Sequence, residues 1–412
     1  MTDIKLSDEF KLNSGVVLPN RIMKSATSEQ LGDRSRNPKP DLTTLYEAWS
    51  RGGAGLLVTG NIMVDRSALG EPFNVVLDEE SDLSQFVNWT KAGTVKGNHL
   101  WAQLNHPGKQ SPNVLSKTPV APSAIPLEGA ISKSFNMPKE LSEPEIKQIV
   151  GRFATASRLA KEVGFTGVQI HGAHGYLVNQ FLSPRHNQRL DSYGGTLENR
   201  MKFVLDVYDA IRHEVGTKFP VAIKLNSADF QKGGFTEEES MQVVCALVKA
   251  GIDHIEISGG SYENPIMVNG KDQQIKESTR KREAYFLTYA ESLRKVTTVP
   301  LAVTGGFRSS EGMMNAINSG ATDFVGLARP LILKPDFPLA AFADSKFVLD
   351  WKEPTTGYKK LDSMTMLAIT WYETQMWRIG KGQKVKLKLS PWKAIVSSIW
   401  KLVTSPPVKK RV

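Results

Sequence analysis

The feature that most constrains the fold is a regular alternation of short apolar, β-branched segments with stretches of helical periodicity. Eight segments qualify as strands, and no ninth has comparable support. The predicted strands cover residues 21–25, 55–59, 99–104, 167–171, 221–225, 254–258, 301–304 and 323–327. Strands that alternate with helices indicate a parallel sheet. Eight repeats predict closure into a single α/β (βα)8, or TIM, barrel.

Two of the helices between these strands have clear start and stop signals. Residues 142–145 (Ser-Glu-Pro-Glu) form a predicted capping box with proline at the first helical position, and Gly164 ends the helix. Residues 236–239 form a second predicted box, and Gly251 is the stop. These signals place helices where the barrel pattern needs them.

Two long segments lie outside this pattern. Residues 105–141 contain six prolines and no strong periodicity, so we expect a capping loop over the top of the barrel. Residues 345–412 follow the last repeat and are basic. We therefore divide the chain into a barrel domain, 1–344, and a helical C-terminal extension, 345–412.

The net charge belongs to the end of that extension. The chain has 412 residues and a formal charge of +10, with 52 basic and 42 acidic side chains. Residues 376–412 hold ten basic residues and no acid, so residues 1–375 hold 42 of each sign. A domain that binds a nucleic-acid duplex needs basic residues across its docking face, so this balance argues against nucleic acid as a partner.

The remaining composition predicts a cytoplasmic protein. Cys245 is the single cysteine, which excludes a disulfide framework and cysteine-rich metal sites. The first residues lack the apolar core of a signal peptide, and no apolar run approaches the roughly 18 residues that span a bilayer.

The extension also contains one amphipathic segment with two possible uses. Its lysine and serine side chains lie opposite an apolar face made of Trp392, Ile395, Val396, Ile399, Trp400 and Val403. A basic helix with tryptophan can lie on an anionic membrane as a peripheral contact. We favour the alternative, in which the face packs on the barrel or on a second subunit of a homo-oligomer.

Candidate functional residues follow the strands, because a barrel of this type builds its active site at their carboxyl ends. Gly305-Gly306 follows the seventh strand and Arg329 the eighth, which favours a phosphate site formed by backbone N–H groups and a guanidinium. A tight turn at the two glycines is the alternative.

The fourth strand is followed by His171, His174 and Tyr176. We favour two imidazoles that donate to one substrate oxygen, as an oxyanion hole does, and a phenol that supplies a proton. A metal pair lacks a third ligand nearby in sequence. Histidines packed at the barrel rim, and an ordinary loop tyrosine, stay open as alternatives.

The motifs around these residues resemble those of the old yellow enzyme family of FMN-dependent ene-reductases, from about Asn20 to Pro338. The most specific run reads His171-Gly-Ala-His174-Gly-Tyr176-Leu, continues to Phe181-Leu-Ser-Pro184, and is followed by Asn187-x-Arg-x-Asp-x-Tyr-Gly-Gly195 and Glu198-Asn-Arg200. The motifs Pro19-Asn-Arg-Ile22, Gln103-Leu-x-His-Pro-Gly108 and Gly326-Leu-Ala-Arg-Pro330 add to it.

The resemblance implies FMN as cofactor, NADPH or NADH as reductant, and an enone or nitroalkene as substrate. Hydride would reach the substrate's β-carbon from FMN, with Tyr176 as proton donor and with His171 and His174 binding the substrate. It also implies the FMN-binding positions, one of which, Lys224, stabilises negative charge on reduced flavin. These positions are Ala26, Thr27, Ser28, Gly60, Gln103, His171, Lys224, Ser258, Gly305, Gly306, Ala328 and Arg329.

Some positions depart from the family pattern. Thr27-Ser28-Glu29-Gln30 differs from the Cys-x-Tyr arrangement of one bacterial branch. In some relatives a C-terminal residue reaches a neighbouring subunit's site, and the candidates here are Tyr372, Trp377 and Arg378. Two rival functions remain. One is another FMN barrel oxidoreductase, and the other is a flavin-binding module without reductase activity, tethered to a membrane or partner.

Overall fold

A computed structural model describes residues 4–259 and 286–404, and in them eight parallel strands close into a barrel. Each strand pairs with its neighbours in chain order, and the eighth pairs with the first. The strands are β1 Ile22–Lys24, β2 Leu56–Met63, β3 His99–Asn105, β4 Gly167–Gly172, β5 Val221–Asn226, β6 His254–Ser258, β7 Leu301–Thr304 and β8 Phe324–Leu327. The predicted TIM barrel is confirmed.

The predicted strands agree with these bounds to within one residue at each end except at β2, which continues to Met63. Its pairing with β3 shifts register between Val58 and Asn61, so an irregularity interrupts the strand where the prediction ended it. Beyond the shift, Asn61 pairs with Gln103. Such bulges are frequent next to active sites, where they redirect side chains.

The helices in the described residues surround the barrel or continue beyond it. They are α1 Pro40–Arg51, α2 Leu83–Gly93, α3 Glu143–Glu162, α4 Leu177–Leu182, α5 Leu197–Val215, α6 Glu237–Ala250, α7 Leu287–Leu293, α8 Ser310–Asn318, α9 Arg329–Leu333, α10 Phe337–Ala343, α11 Lys359–Met364, α12 Leu367–Gly380 and α13 Pro391–Thr404. Both predicted capping boxes are formed, at the starts of α3 and α6.

The amino ends of the strands are closed by a hairpin, Phe10–Lys11 and Val17–Leu18. Leu12 and Leu18 of this hairpin are buried in one cluster with residues of the barrel strands, among them Trp101 and Phe324. The bottom of the barrel is therefore filled with apolar side chains.

Polar contacts hold the long insertion 105–141 in place. The buried guanidinium of Arg189 donates to the carbonyl oxygens of Pro122 (2.8 Å) and Leu141 (2.5 Å). The buried ammonium of Lys109 donates to the carbonyl oxygen of Ile125 at 3.2 Å. Short strands Val120–Ala121 and Lys139–Glu140 pair within the insertion. Side-chain hydrogen bonds and one short two-stranded sheet thereby order a segment rich in proline.

The extension is built onto the barrel through α12. Trp371 and Met376 of α12 are almost completely buried, and Trp377 donates its indole N–H to the carbonyl oxygen of Glu29 at 2.9 Å. Gly380 lies so close to α1 that a Cβ there would be 2.6 Å from the carbonyl oxygen of Asp41. This helix therefore belongs to the core of the molecule.

The last helix, α13, corrects one expectation. Of the predicted apolar face, Ile395 is buried against the molecule. The other members are 49–73% exposed, so they do not pack on the barrel: Trp392, Val396, Ile399, Trp400 and Val403. The packed face is instead the one that carries Ala394, Ile395 and the stem of Lys401, whose ammonium lies over the Trp377 ring. No helix within residues 4–259 and 286–404 is long and apolar enough to cross a bilayer.

Candidate active site

A cavity of about 300 Å³ opens at the carboxyl ends of the strands, where the barrel prediction places the site. Predicted site residues contribute much of its wall: Ala26, Thr27, Ser28, His174, Lys224, Gly305, Gly306, Ala328 and Arg329. The extension contributes a second part of the wall: Trp351, Ala368, Ile369, Tyr372, Glu373 and Met376. The site is therefore a joint product of the two parts of one chain.

One end of the cavity has the features of a phosphate site. Gly305 and Gly306 have φ angles of +113° and +102°, which residues other than glycine rarely adopt. Arg329 starts the short helix α9 directly after β8. Loops after the seventh and eighth strands, with the start of a short extra helix, are where barrels of this kind bind phosphate.

The guanidinium of Arg329 is held by the extension. It contacts the Glu353 carboxylate at 2.9 Å, and the same carboxylate accepts a 2.8 Å hydrogen bond from the Tyr372 hydroxyl. Arg308 lies 3.5 Å from Glu353 and over the Trp351 ring. One carboxylate thus positions two arginines at this end of the cavity. Glu353 was not among the predicted site residues, because no motif includes it.

The cation expected beside the flavin ring is buried and paired. The Lys224 ammonium lies 3.0 Å from Glu256, which is itself fully buried. Burial alone would raise the pKa of Glu256, but Lys224 and hydrogen bonds from Thr304 and Gln169 lower it overall. A charged ion pair therefore sits inside the barrel, with the lysine on the cavity wall. A glutamate inside the predicted buried strand 254–258 was the signal that could have revealed this partner.

The two histidines contact each other. His171 Nε2 and His174 Nδ1 lie 3.3 Å apart, within hydrogen-bond distance. Their other nitrogens contact Asn61 Oδ1 at 2.8 Å and Ser258 Oγ at 2.7 Å. His174 has a φ of +61°, a backbone strain that often accompanies function.

Both imidazoles are neutral at physiological pH. Burial, with His174 and Lys224 as smaller causes, lowers the pKa of His171 well below its ordinary value. Burial and Lys224 lower the pKa of His174 to about 3. A neutral imidazole has one N–H donor. Asn61 Oδ1 can only accept, so the N–H of His171 is on Nδ1, and its Nε2 accepts from His174 Nδ1–H.

Tyr176 lies against this pair. Its ring centre is 4.7 Å from that of His171, and the Asn61 amide nitrogen is 3.4 Å from its hydroxyl oxygen. Asn61 therefore contacts both a histidine and the tyrosine, from the irregular part of β2. No pattern in the sequence pointed to Asn61, because a bulge cannot be recognised from strand periodicity.

Ser28 begins a cluster of acidic side chains on another wall. Its hydroxyl lies 2.7 Å from both Glu71 carboxyl oxygens and 2.9 Å from Glu373 Oε1. Burial, with Glu373 as the next cause, raises the pKa of Glu71 to about 7. Burial also raises the pKa of Glu373. Both glutamates lie outside the motifs and carried no sequence signal.

Four predicted cofactor residues are not on the cavity wall, namely Gly60, Gln103, His171 and Ser258, and Tyr176 is not on it either. The Gly60 N–H donates to Glu29 Oε2 at 3.1 Å, and a Cβ at Gly60 would collide with that oxygen. Gln103 donates its amide to Gln169 at 2.7 Å. Their flavin contacts stay predictions. No group of three metal-binding side chains occurs in the parts of the chain described.

Comparison with known proteins decides the family. The sequence profile of the NADH:flavin oxidoreductase / NADH oxidase family matches residues 7–344, well over half of the chain. The chain belongs to this family. The predicted resemblance is confirmed, and with it an oxidoreductase that uses FMN and a nicotinamide reductant.

Individual relatives extend the match. The NADH-dependent flavin oxidoreductase iliE of Hypocrea jecorina is 37% identical over 358 residues, which cover 82% of this chain and 89% of the relative. The NADH-dependent flavin oxidoreductase iccE of Talaromyces variabilis is 35% identical over 93% of this chain and 98% of its own length. The old yellow enzyme homologue of Zymomonas mobilis has a TM-score of 0.72 at 25% identity, over 82% of this chain and 93% of that one.

The cavity fits FMN. Gly305 and Gly306, both at positive φ, and Arg329 suit its phosphate, and Lys224 supplies a cation deeper in the barrel. Apolar side chains of the extension, such as Ile369 and Met376, offer a surface for an aromatic ring system. The residues that line this cavity therefore provide partners for the phosphate of FMN and an apolar surface for its ring system.

Proposed function

We propose that this oxidoreductase is an ene-reductase, which saturates the double bond of an α,β-unsaturated carbonyl compound or a nitroalkene. The observation that carries the proposal is the placement of His171 Nε2 and His174 Nδ1 3.3 Å apart beside Tyr176. A substrate oxygen that enters between these nitrogens accepts from both when the Asn61 amide turns to donate to His171 Nδ1, which leaves the hydrogen of His171 on Nε2. Negative charge develops on that oxygen as a double bond is reduced. Donors placed for that charge act on the transition state.

Each residue of the chain then has a distinct task. The neutral imidazoles of His171 and His174 bind and orient the substrate oxygen, and Tyr176 holds the proton that the α-carbon takes. Asn61 positions the tyrosine hydroxyl and His171 together. Because His174 has a pKa of about 3, the pair keeps the same charge through the neutral pH range.

The cofactor positions divide in the same way. We propose that Gly305, Gly306, Ala328 and Arg329 hold the FMN phosphate, and that Lys224 lies by the ring where negative charge forms on reduction. Bound FMN supplies the hydride, which it receives from a nicotinamide. We propose NADH as the reductant, since the similar fungal proteins are named for it.

One assay tests the proposal. The purified protein is expected to be yellow, and to oxidise NADH faster when cyclohexenone is added, with cyclohexanone formed in equal amount. A yellow protein that oxidises NADH but leaves the enone unchanged would contradict ene-reduction. That outcome would favour another flavin oxidoreductase or a flavin-binding module.

A second proposal concerns the exposed face of α13. We propose that it rests on an anionic lipid surface. Its stripe of Trp392, Ile399, Trp400 and neighbours is exposed, and exposed lysines such as Lys388 and Lys393 lie beside it. Self-association through this face would bring one segment with ten basic residues and no acid against an identical one. Anionic lipid complements that charge.

Vesicle flotation tests this contact. The protein is expected to float with vesicles that contain phosphatidylserine, and less with pure phosphatidylcholine or at high salt. The double variant Trp392→Ala/Trp400→Ala should lose flotation and keep its activity. Equal flotation of both proteins, or a dimer that the double substitution dissociates, would overturn the proposal.

A further inference from the structure

The hydroxyl of Ser28 lies between two carboxyl groups that come from different parts of the chain. Ser28 follows β1, Glu71 lies in the loop after β2, and Glu373 is on α12 of the extension. The O···O distances are 2.7 Å to both oxygens of Glu71 and 2.9 Å to Glu373. All of these are ordinary distances for O–H···O hydrogen bonds.

The protons available do not suffice for two ionised carboxylates. A serine hydroxyl donates one hydrogen bond, because it carries one hydrogen, although it can accept two. If Glu71 and Glu373 were both ionised, one carboxylate oxygen would face a Ser28 lone pair with no proton between them. One of the two carboxyl groups must therefore carry a proton and donate it to Ser28.

The surroundings agree with one proton on the pair. The amides of Gln30 and Asn74 donate to Glu373 at 2.8 Å and to Glu71 at 3.3 Å. The charged groups that face the pair are Glu29, which is paired with the buried Lys24, and Lys401 of α13, with Lys39 and Asp41 beyond it. Burial lowers the pKa of Lys401 to about 7, so this lysine does not supply the positive charge that two ionised carboxylates would need.

We propose that Glu71, Ser28 and Glu373 form a proton-holding site on the wall of the cofactor cavity. The pair holds one shared proton at rest and takes a second from solvent when negative charge forms in the cavity. The second proton neutralises the remaining carboxylate, so the Ser28 hydroxyl no longer donates to it. The hydroxyl can then donate a hydrogen bond into the cavity. Glu71 and Glu373 are positioning residues, since they act through Ser28.

Infrared spectroscopy tests the resting proton directly. Wild-type protein is expected to show the C=O stretch of a protonated carboxyl that persists above pH 6 and disappears as the pH rises past neutrality. Glu71→Gln and Glu373→Gln should each abolish this band, because a single remaining carboxylate accepts from Ser28. Glutamine keeps the size and one donor, so both variants should fold. Glu79→Gln, at a largely exposed carboxylate, is the control and should keep the band.

The same infrared measurement can contradict the proposed proton-holding site. If the band is lost near pH 4.5, where ordinary glutamates titrate, or survives in either glutamine variant, the shared proton does not exist. The measurement needs no substrate and can be made on protein with or without cofactor.

The second proton is tested by the flavin's midpoint potential as a function of pH. The link to reduction rests on the proposed function. Between pH 6 and 8, wild type should take up one more proton per two electrons than the double variant Glu71→Gln/Glu373→Gln. The plot of its midpoint potential against pH should therefore be steeper by about 30 mV per pH unit. Equal slopes would contradict proton uptake. A protein that keeps the band and the slope difference but fails to reduce enones would contradict the proposed function alone.

Discussion

The barrel rim and the C-terminal extension contribute to the same cavity in different ways. The rim presents the residues that we propose act on a ligand directly, such as His174, which follows β4, and Lys224, which lies near the carboxyl end of β5. The extension presents residues that position others: Glu353 holds Arg329, and Glu373 contacts Ser28. We therefore expect the residues that act in the reaction to belong to the rim, and the residues that position them to belong to the extension.

The largest expected effect belongs to the rim. Tyr176→Phe should slow enone reduction by about 10²–10⁴-fold, which is the usual contribution of a general acid. Reduction of the flavin by NADH should change little, because that step takes no proton from the phenol. Stopped-flow measurement of the two half-reactions checks this. If both steps slowed equally, Tyr176 would be a structural residue and the division between rim and extension would need revision.

The extension should contribute as much to stability as the barrel core does. Trp371→Ala removes an indole that is 3% exposed and that donates to the carbonyl oxygen of Leu389 at 3.0 Å. We expect the free energy of unfolding to fall by about 3–5 kcal/mol. Phe203→Ala, in the fully buried core beside the barrel, is the matched variant. Denaturant titration that showed a loss only for Phe203→Ala would mean that the extension folds as a separate, weaker unit.

The phosphate end allows a direct comparison of the two regions. Arg329→Ala should weaken FMN binding by about 10–100-fold, because charge-assisted hydrogen bonds contribute about 1.5–3 kcal/mol. Tyr372→Phe removes one hydrogen bond to Glu353, which orients that arginine, and should weaken binding by less than about tenfold. Flavin fluorescence on dilution measures both. A larger loss for Tyr372→Phe would place the extension in direct contact with the cofactor.

The same division explains how much the sequence could predict. Strand positions, both capping boxes and the proximity of His171 to His174 follow from local patterns, because the barrel brings strand ends together wherever they lie in the chain. The partners of these residues do not follow. Glu353 and Glu373 reach the cavity from a segment with no barrel pattern, and Asn61 depends on a bulge. Contacts that depend on how one long segment docks on another leave no periodic signal.

The smallest expected effect on stability lies on α13. Trp400 is 68% exposed, so Trp400→Ala should change the free energy of unfolding by no more than about 0.5 kcal/mol. This contrasts with Trp371, a tryptophan of the same extension that is buried. Substitution of Lys401, which directly follows Trp400 but is packed over the Trp377 ring, should cost more than substitution of Trp400. Denaturant titration of Trp400→Ala and Lys401→Ala checks the order. If Trp400→Ala were the more destabilising, the exposed stripe would be part of the fold, and a lipid surface would not be needed to explain it.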